Sequence, residues 1–190
     1  MSPHIAVPNG LVGITSLLEY RIDTSAPIRA LTQTLLRGPS TLTEGERELI
    51  ATVVSHRNAC RFCTTAHTAA AALLMGEGET VEAVKHDPDG APVTAKMKAL
   101  LRIAARVQES GRAVSGDDVA AARAAGATDV EIHDAVLIAA LFCLYNRYVD
   151  GLAALTPDDP AYYRTLADRI VHRGYLRPEG GLPSSISPRA

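Results

Sequence analysis

The sequence predicts an all-α, single-domain helical bundle, and three observations carry that expectation. Its eleven prolines leave two long free spans, 40–87 and 93–156, both rich in the strong helix formers Ala, Leu, Glu and Arg. Alternating β-branched patterns are nearly absent, and the one candidate, IATVVS at 50–55, lies inside a longer helical pattern. Helix-start signals also recur along both spans, at spacings where one side chain satisfies another's free backbone N–H. A chain of 190 residues folds as one domain and buries roughly 70% of its unfolded surface, so it needs no staple.

The elements follow in chain order. Helices are expected at 11–20 and 25–36, then at 43–57, where Thr43 and Glu46 form a capping box ahead of Leu49, Ile50, Val53 and Val54. A helix over 60–75 follows, then one over 79–86, which ends at the turn HDPDGAP (86–92). Beyond the turn come 94–109 and 116–125, the latter opened by Ser115 with Asp118 and closed by Gly126. Thr128 with Glu131 caps 129–148. The centre of that helix, AVLIAALFCLY, is apolar on all sides and so requires enclosure by protein, in the bundle centre or at a subunit interface. Asp159 caps 160–173, with Pro160 at its first position and Gly174 beyond its end. The helical domain is taken as residues 1–177. Residues 178–190, PEGGLPSSISPRA, hold almost no apolar groups and are expected to be disordered or to touch a neighbouring subunit.

Composition removes several classes of function. Nineteen Lys and Arg against 21 Asp and Glu leave a net charge of −2, too little for an electrostatic hold on nucleic acid or an anionic membrane. With no Trp, two Phe and six Tyr, stacking platforms for bases are scarce. The apolar run at 135–145 is short of the roughly 18 residues a span needs. The N-terminus shows no basic stretch followed by an apolar core, so no signal peptide is expected. Three cysteines, two of them in one Cys-x-x-Cys, argue against a secreted disulfide framework and for an intracellular redox or metal site. The expected location is the cytoplasm.

Cys60-x-x-Cys63-x-x-x-His67 is the constellation that carries chemistry. On a helix opening at Cys60, Cys63 lies about 60° and His67 about 20° around the axis, so all three share a face. A thiolate near helix N-terminal amides and an imidazole is a nucleophile. Its sulfenic acid condenses with a second thiol three residues away, while His67 accepts and returns a proton. Glu48, on the preceding helix, reaches His67 if the chain turns back at Asn58–Ala59. Glu44 and Glu46 fit capping roles, Cys143 a small buried hydrophobe, and His56 and His133 surface positions. Asn146, Arg147 and Asp150 read as helix-end subunit contacts. As a metal site, Cys60, Cys63 and His67 are three ligands on one helix with no fourth in view, so no metal is expected.

Glu48, eleven residues, then Cys60-x-x-Cys63-x-x-x-His67 resembles the alkylhydroperoxidase family named after AhpD, in the carboxymuconolactone decarboxylase superfamily. The words ERELIATVVS, NACRFC and AHTAAA are similar to its peroxidase-related branch. The likeness extends more loosely over about 7–177, through KMKALLRIAARV, LYNRYVDGL and HRGYL. The resemblance implies an all-helical fold assembled as trimers or hexamers. It implies an antioxidant thiol peroxidase with no bound cofactor, reduced by an external dithiol, often a protein-bound lipoyl group. Carried onto this chain, Cys63 attacks the peroxide, Cys60 is the more exposed resolving partner, His67 is the base, and Glu48 acts on it directly or through water. Some members have a histidine where this chain has Phe62. The members without cysteines are lactone decarboxylases, and this chain has both. A general disulfide oxidoreductase and a non-enzymatic redox- or metal-responsive oligomer are the alternative readings.

Overall fold

The computed structural model describes residues 2–181. Among them are nine α-helices and one 3₁₀ turn, with no strand. The helices are α1 (Gly13–Tyr20), α2 (Ile22–Arg37), α3 (Glu44–Arg57), α4 (Arg61–Met75), α5 (Glu79–His86), α6 (Ala95–Glu109), α7 (Gly116–Ala124), α8 (Asp129–Gly151) and α9 (Pro160–Arg173). The expected all-α fold is the observed one. Of the segment set apart as a tail, Pro178–Gly181 makes a turn, with Gly181 N–H on the Pro178 carbonyl; 182–190 lie outside the described residues.

Each expected cap forms. Thr43 and Glu46, Ser115 and Asp118, and Thr128 and Glu131 make reciprocal capping boxes, and the Asp159 side chain accepts from Ala161 N–H with Pro160 at the helix start. Two boundaries differ from expectation by three residues. α2 begins at Ile22, three residues early, with Pro27 inside it. Pro27 sits so near the start that the one bond its missing N–H forfeits falls on an exposed turn. α8 continues to Gly151, because Val149 is buried and extends the apolar face by one turn.

α3 and α4 form an antiparallel hairpin, the most extensive packing in the fold. A methyl group on Gly45 would come 2.9 Å from Met75, so the far ends of the hairpin touch closely. α3 is the innermost helix, with every residue from Arg47 to Ser55 buried. α6 and α8 pack on it and on each other, and α9 closes over α4. α8 is long and apolar enough in composition to cross a membrane, but it packs on α3 and α6 through Ile132, Ala135, Ile138, Ala139 and Phe142. Its other face remains open in the single chain, with Val130 67% and Leu144 44% exposed. The enclosure expected for α8 is therefore one-sided, and α3 occupies the centre.

Candidate active site

The turn between α3 and α4 sets the geometry. Asn58 ends α3, and Ala59 takes a left-handed backbone (φ 55), which costs a non-glycine residue about 1–2 kcal/mol. Cys60 N–H then bonds back to the Ser55 carbonyl at 3.1 Å. Cys60 becomes the N-cap of α4 and Cys63 its third residue. Cys63 thus lies in the first turn, where unpaired amides and the helix dipole favour negative charge.

Folding α3 back along α4 brings Glu48 to His67: Glu48 Oε2 and His67 Nδ1 are 2.6 Å apart. Glu48 is fully buried. Its other oxygen, Oε1, accepts from Arg37 Nη2 at 2.6 Å and from Tyr175 OH at 2.5 Å. Burial alone raises the Glu48 pKa, but His67, Arg37 and Tyr175 outweigh it and hold the carboxyl below its ordinary range. Burial and the adjoining Glu48 charge push Tyr175 well above the usual phenol value, so Tyr175 stays a donor. Its ring stacks on His67 at 6.3 Å and 11°, and the Arg37 guanidinium lies over the same ring at 5.0 Å. Phe142 meets the imidazole edge-on at 4.5 Å. With Nδ1–H given to Glu48, Nε2 carries the free lone pair. No hydrogen bond engages Nε2 among the described residues.

His67 and Cys63 line the same cavity of about 50 Å³ beneath α9, together with Phe62, Phe142, Tyr145 and Tyr175. Cys60 is not part of its wall. One expectation changes here. Cys60 is no more exposed than its partner, at 0% against 2% for Cys63, because the left-handed turn tucks it under α4. His67 and Cys63 share the cavity without a direct hydrogen bond among the described residues. Cys60 and burial together push the Cys63 thiol well above its ordinary pKa, opposed by Asn146. As a free thiol Cys63 therefore holds its proton. Both cysteines and Cys143 are free thiols in this structure.

Asn146 is a further correction. It lies inside α8, 1% exposed, donates to Ser55 Oγ at 3.1 Å and accepts from Asn58 Nδ2 at 2.8 Å. It braces the α3–α4 turn beside Cys63 and is no surface contact. Asp150 stands next to Cys60, and Arg147 is exposed. Cys143 is half-buried, where the sequence suggested full burial, with Asn58 Nδ2 at 3.6 Å. His133 is exposed, and His56 packs edge-on against His86 at 5.5 Å. Glu46 caps α3, and Glu44 lies 3.6 Å from Arg37. Among the described residues no group of three or more His, Cys, Asp or Glu is arranged to hold a metal ion.

Sequence spacing missed Arg37 and Tyr175, which come from the end of α2 and the segment after α9. Tyr175 lies in the word HRGYL, which carried part of the resemblance without a chemical role.

Residues 23–105 match the family model of the carboxymuconolactone decarboxylase family. No curated protein matches the chain. A solved structure from Silicibacter sp. TM1040, described as an uncharacterized peroxidase-related protein, superposes with a TM-score of 0.72 at 27% identity, covering 80% of this chain and 78% of that one. Another, from Ralstonia eutropha JMP134, is described as an alkylhydroperoxidase AhpD core and an uncharacterized peroxidase-related protein. It gives a TM-score of 0.77 at 23% identity over 87% of this chain and 96% of its own. With the Cys60–His67 segment inside the matched region, the chain is similar to the carboxymuconolactone decarboxylase family over residues 23–105, and it has the AhpD-like fold.

Proposed function

We propose that the protein is a thiol peroxidase that reduces hydroperoxides through a Cys60–Cys63 dithiol cycle. The observation that carries this reading is a cavity wall holding both a thiol, Cys63, and an imidazole whose free nitrogen is set by a buried carboxylate. The peroxidase-related descriptions of the two similar structures agree with it. A hydroperoxide seated between Cys63 and His67 bridges the gap that separates them. His67 Nε2 takes the thiol proton and the thiolate attacks the distal oxygen. As the O–O bond breaks, the same proton passes to the alkoxide, giving an alcohol and a sulfenic acid on Cys63. The Cys60 thiol then displaces water from that sulfenic acid to form the disulfide, and an external dithiol restores both thiols by exchange. Glu48 keeps Nδ1 protonated and steadies the imidazolium in between.

Both sulfurs are buried, which favours a slender reductant such as a lipoyl arm over a broad protein surface. The open apolar face of α8 supports a homo-oligomer, a trimer or hexamer in keeping with the family. A dithiol kept reduced fits the cytoplasm.

Steady-state consumption of tert-butyl hydroperoxide, supplied with dihydrolipoamide, tests the reading. Turnover that disappears in Cys63→Ser supports it. Reduction of unrelated disulfides without peroxide turnover assigns the protein to general disulfide exchange instead.

A further inference from the structure

The cavity that Cys63 and His67 share has two arginines in its wall, Arg29 and Arg169, and the peroxidase chemistry uses neither. Arg29 is 4% exposed, with its Nη2 on Glu19 at 3.0 Å and its Nη1 on the Tyr175 carbonyl at 3.4 Å. Its Nε is buried with no partner. Arg169 has a buried Nε that is likewise unpaired, and no ion pair or hydrogen bond among the described residues engages its guanidinium. The two arginines are close enough to repel: burial and then Arg29 push the Arg169 pKa down. Beside Arg169 stands Tyr162, whose buried hydroxyl also lacks a partner of good geometry.

Among the described residues, neither buried carboxylate nearby is free to balance this charge. Glu19 is shared between Arg29 and Arg177, and Glu48 is committed to Arg37, Tyr175 and His67. Arg29 keeps Glu19 as its counter-charge, so the unbalanced charge is that of the half-buried Arg169, and unfilled buried donors on a cavity wall are costly. An anion in the cavity relieves both. Apart from Thr15, the rest of the wall is apolar or aromatic, from Ile14, Leu18, Phe62 and Leu166 among others, so most of the remainder of such a ligand is hydrocarbon. At about 50 Å³ the cavity has room for roughly three to five waters, which limits the ligand to a small molecule.

We propose that Arg29 and Arg169 form a carboxylate subsite, and that the substrate of Cys63 is a short organic hydroperoxide bearing a carboxylate. The substrate assignment rests on the peroxidase reading, whereas the subsite itself does not. Charge-assisted hydrogen bonds of this kind are worth roughly 10- to 100-fold in affinity.

A matched pair of probes tests it. 3-Hydroxy-3-methylbutanoate is the alcohol left when 3-hydroperoxy-3-methylbutanoate is reduced, and tert-butanol is the same alcohol without the carboxylate. Isothermal titration calorimetry on the reduced protein should show the acid binding at least tenfold more tightly than the neutral alcohol. Arg169→Gln should remove that preference and Arg169→Lys should restore part of it, with circular dichroism establishing that each variant is folded. In turnover, the ratio of kcat/KM for 3-hydroperoxy-3-methylbutanoate over tert-butyl hydroperoxide should exceed ten and collapse in Arg169→Gln. Equal binding of acid and alcohol overturns the subsite, as does acid binding indifferent to Arg169→Gln. Inorganic phosphate binding as tightly as the acid overturns its carboxylate character. Acid binding without turnover of either hydroperoxide keeps the subsite and rejects the peroxidase reading, so the two failures are told apart.

Discussion

Glu48 has three partners on two oxygens, and this decides which substitutions are informative. Glu48→Gln reaches beyond His67, because it also leaves Arg37 buried against a neutral group, a loss of about 3–5 kcal/mol. Tyr175→Phe is the cleaner probe. It removes one hydrogen bond to a charged group, about 1.5–3 kcal/mol, and keeps the ring that stacks on His67. Its expected effect is a slower first turnover by stopped flow in a protein that remains folded, and an unchanged rate rejects a role for the clamp. Because burial and Cys60 hold the Cys63 thiol up, the single-turnover rate of His67→Gln should be low near neutrality and recover as pH rises and the thiol ionises unaided. A pH-independent rate in that variant rejects His67 as base. The sulfurs divide the work testably: Cys63→Ser should abolish a single turnover of peroxide, while Cys60→Ser should allow one and leave a sulfenic acid that dimedone labels. The opposite pattern reverses the roles. The meeting of Glu48 with His67, and the placing of Cys63 and His67 on one cavity wall, follow from spacing because a helix hairpin converts sequence offset into proximity. Arg37 and Tyr175 were not legible in the sequence, since no local period links them to the motif. Nor was the burial of Cys60, which depends on one left-handed residue, Ala59.

At the scale of elements, caps were the readable feature, since each is a local pairing three residues apart. The box at Thr128 also joins separate parts of the fold. Glu131 accepts from Thr128 N–H at 2.7 Å, from Lys96 Nζ at 2.7 Å and from Thr41 Oγ1 at 2.8 Å, tying α8 to α6 and to the segment before α3. Burial raises its pKa, but these donors prevail and bring it down to about 2. Its folded pKa lies below the unfolded value of about 4.3, so its stabilisation is present above that value and is lost as pH falls toward 2. Urea midpoints taken from pH 6 to pH 3 should drop below pH 4.5, and Glu131→Gln should flatten the drop while costing stability at pH 6. An equal slope in wild type and variant rejects the assignment. The meeting of α1 and α4 was not readable in advance. Gly13 has φ 55, and a Cβ there would lie 2.0 Å from the Phe62 ring. Gly13→Ala should therefore destabilise by about 1–3 kcal/mol and disturb the cavity wall, measurable as a lower urea midpoint.

For the whole molecule, the all-α class was legible from proline spacing and helix-forming composition, because those act on every residue. The packing order was less so. The long apolar helix α8 lies beside the centre and the more polar α3 within it. α3 can occupy that place because Arg47 and Glu48 find internal partners: Arg47 donates to the Leu35 and Gly38 carbonyls. The outward apolar residues of α8 lead to an assembly prediction. Light scattering at micromolar concentration should give an oligomer, and Leu144→Lys, on an exposed position, should lower the mass without loss of helicity. A monomeric wild type rejects it.

The bond from Tyr175 to Glu48 joins residues 127 apart in sequence. During synthesis the two thiols emerge well before the segment that completes their enclosure. For that interval the Cys60–Cys63 pair has neither α9 above it nor a finished carboxylate clamp behind His67, so the nascent chain meets oxidants without the selectivity of the finished cavity. The yield of working protein then depends on how reducing the surroundings of the ribosome are, and on how quickly the last helix docks.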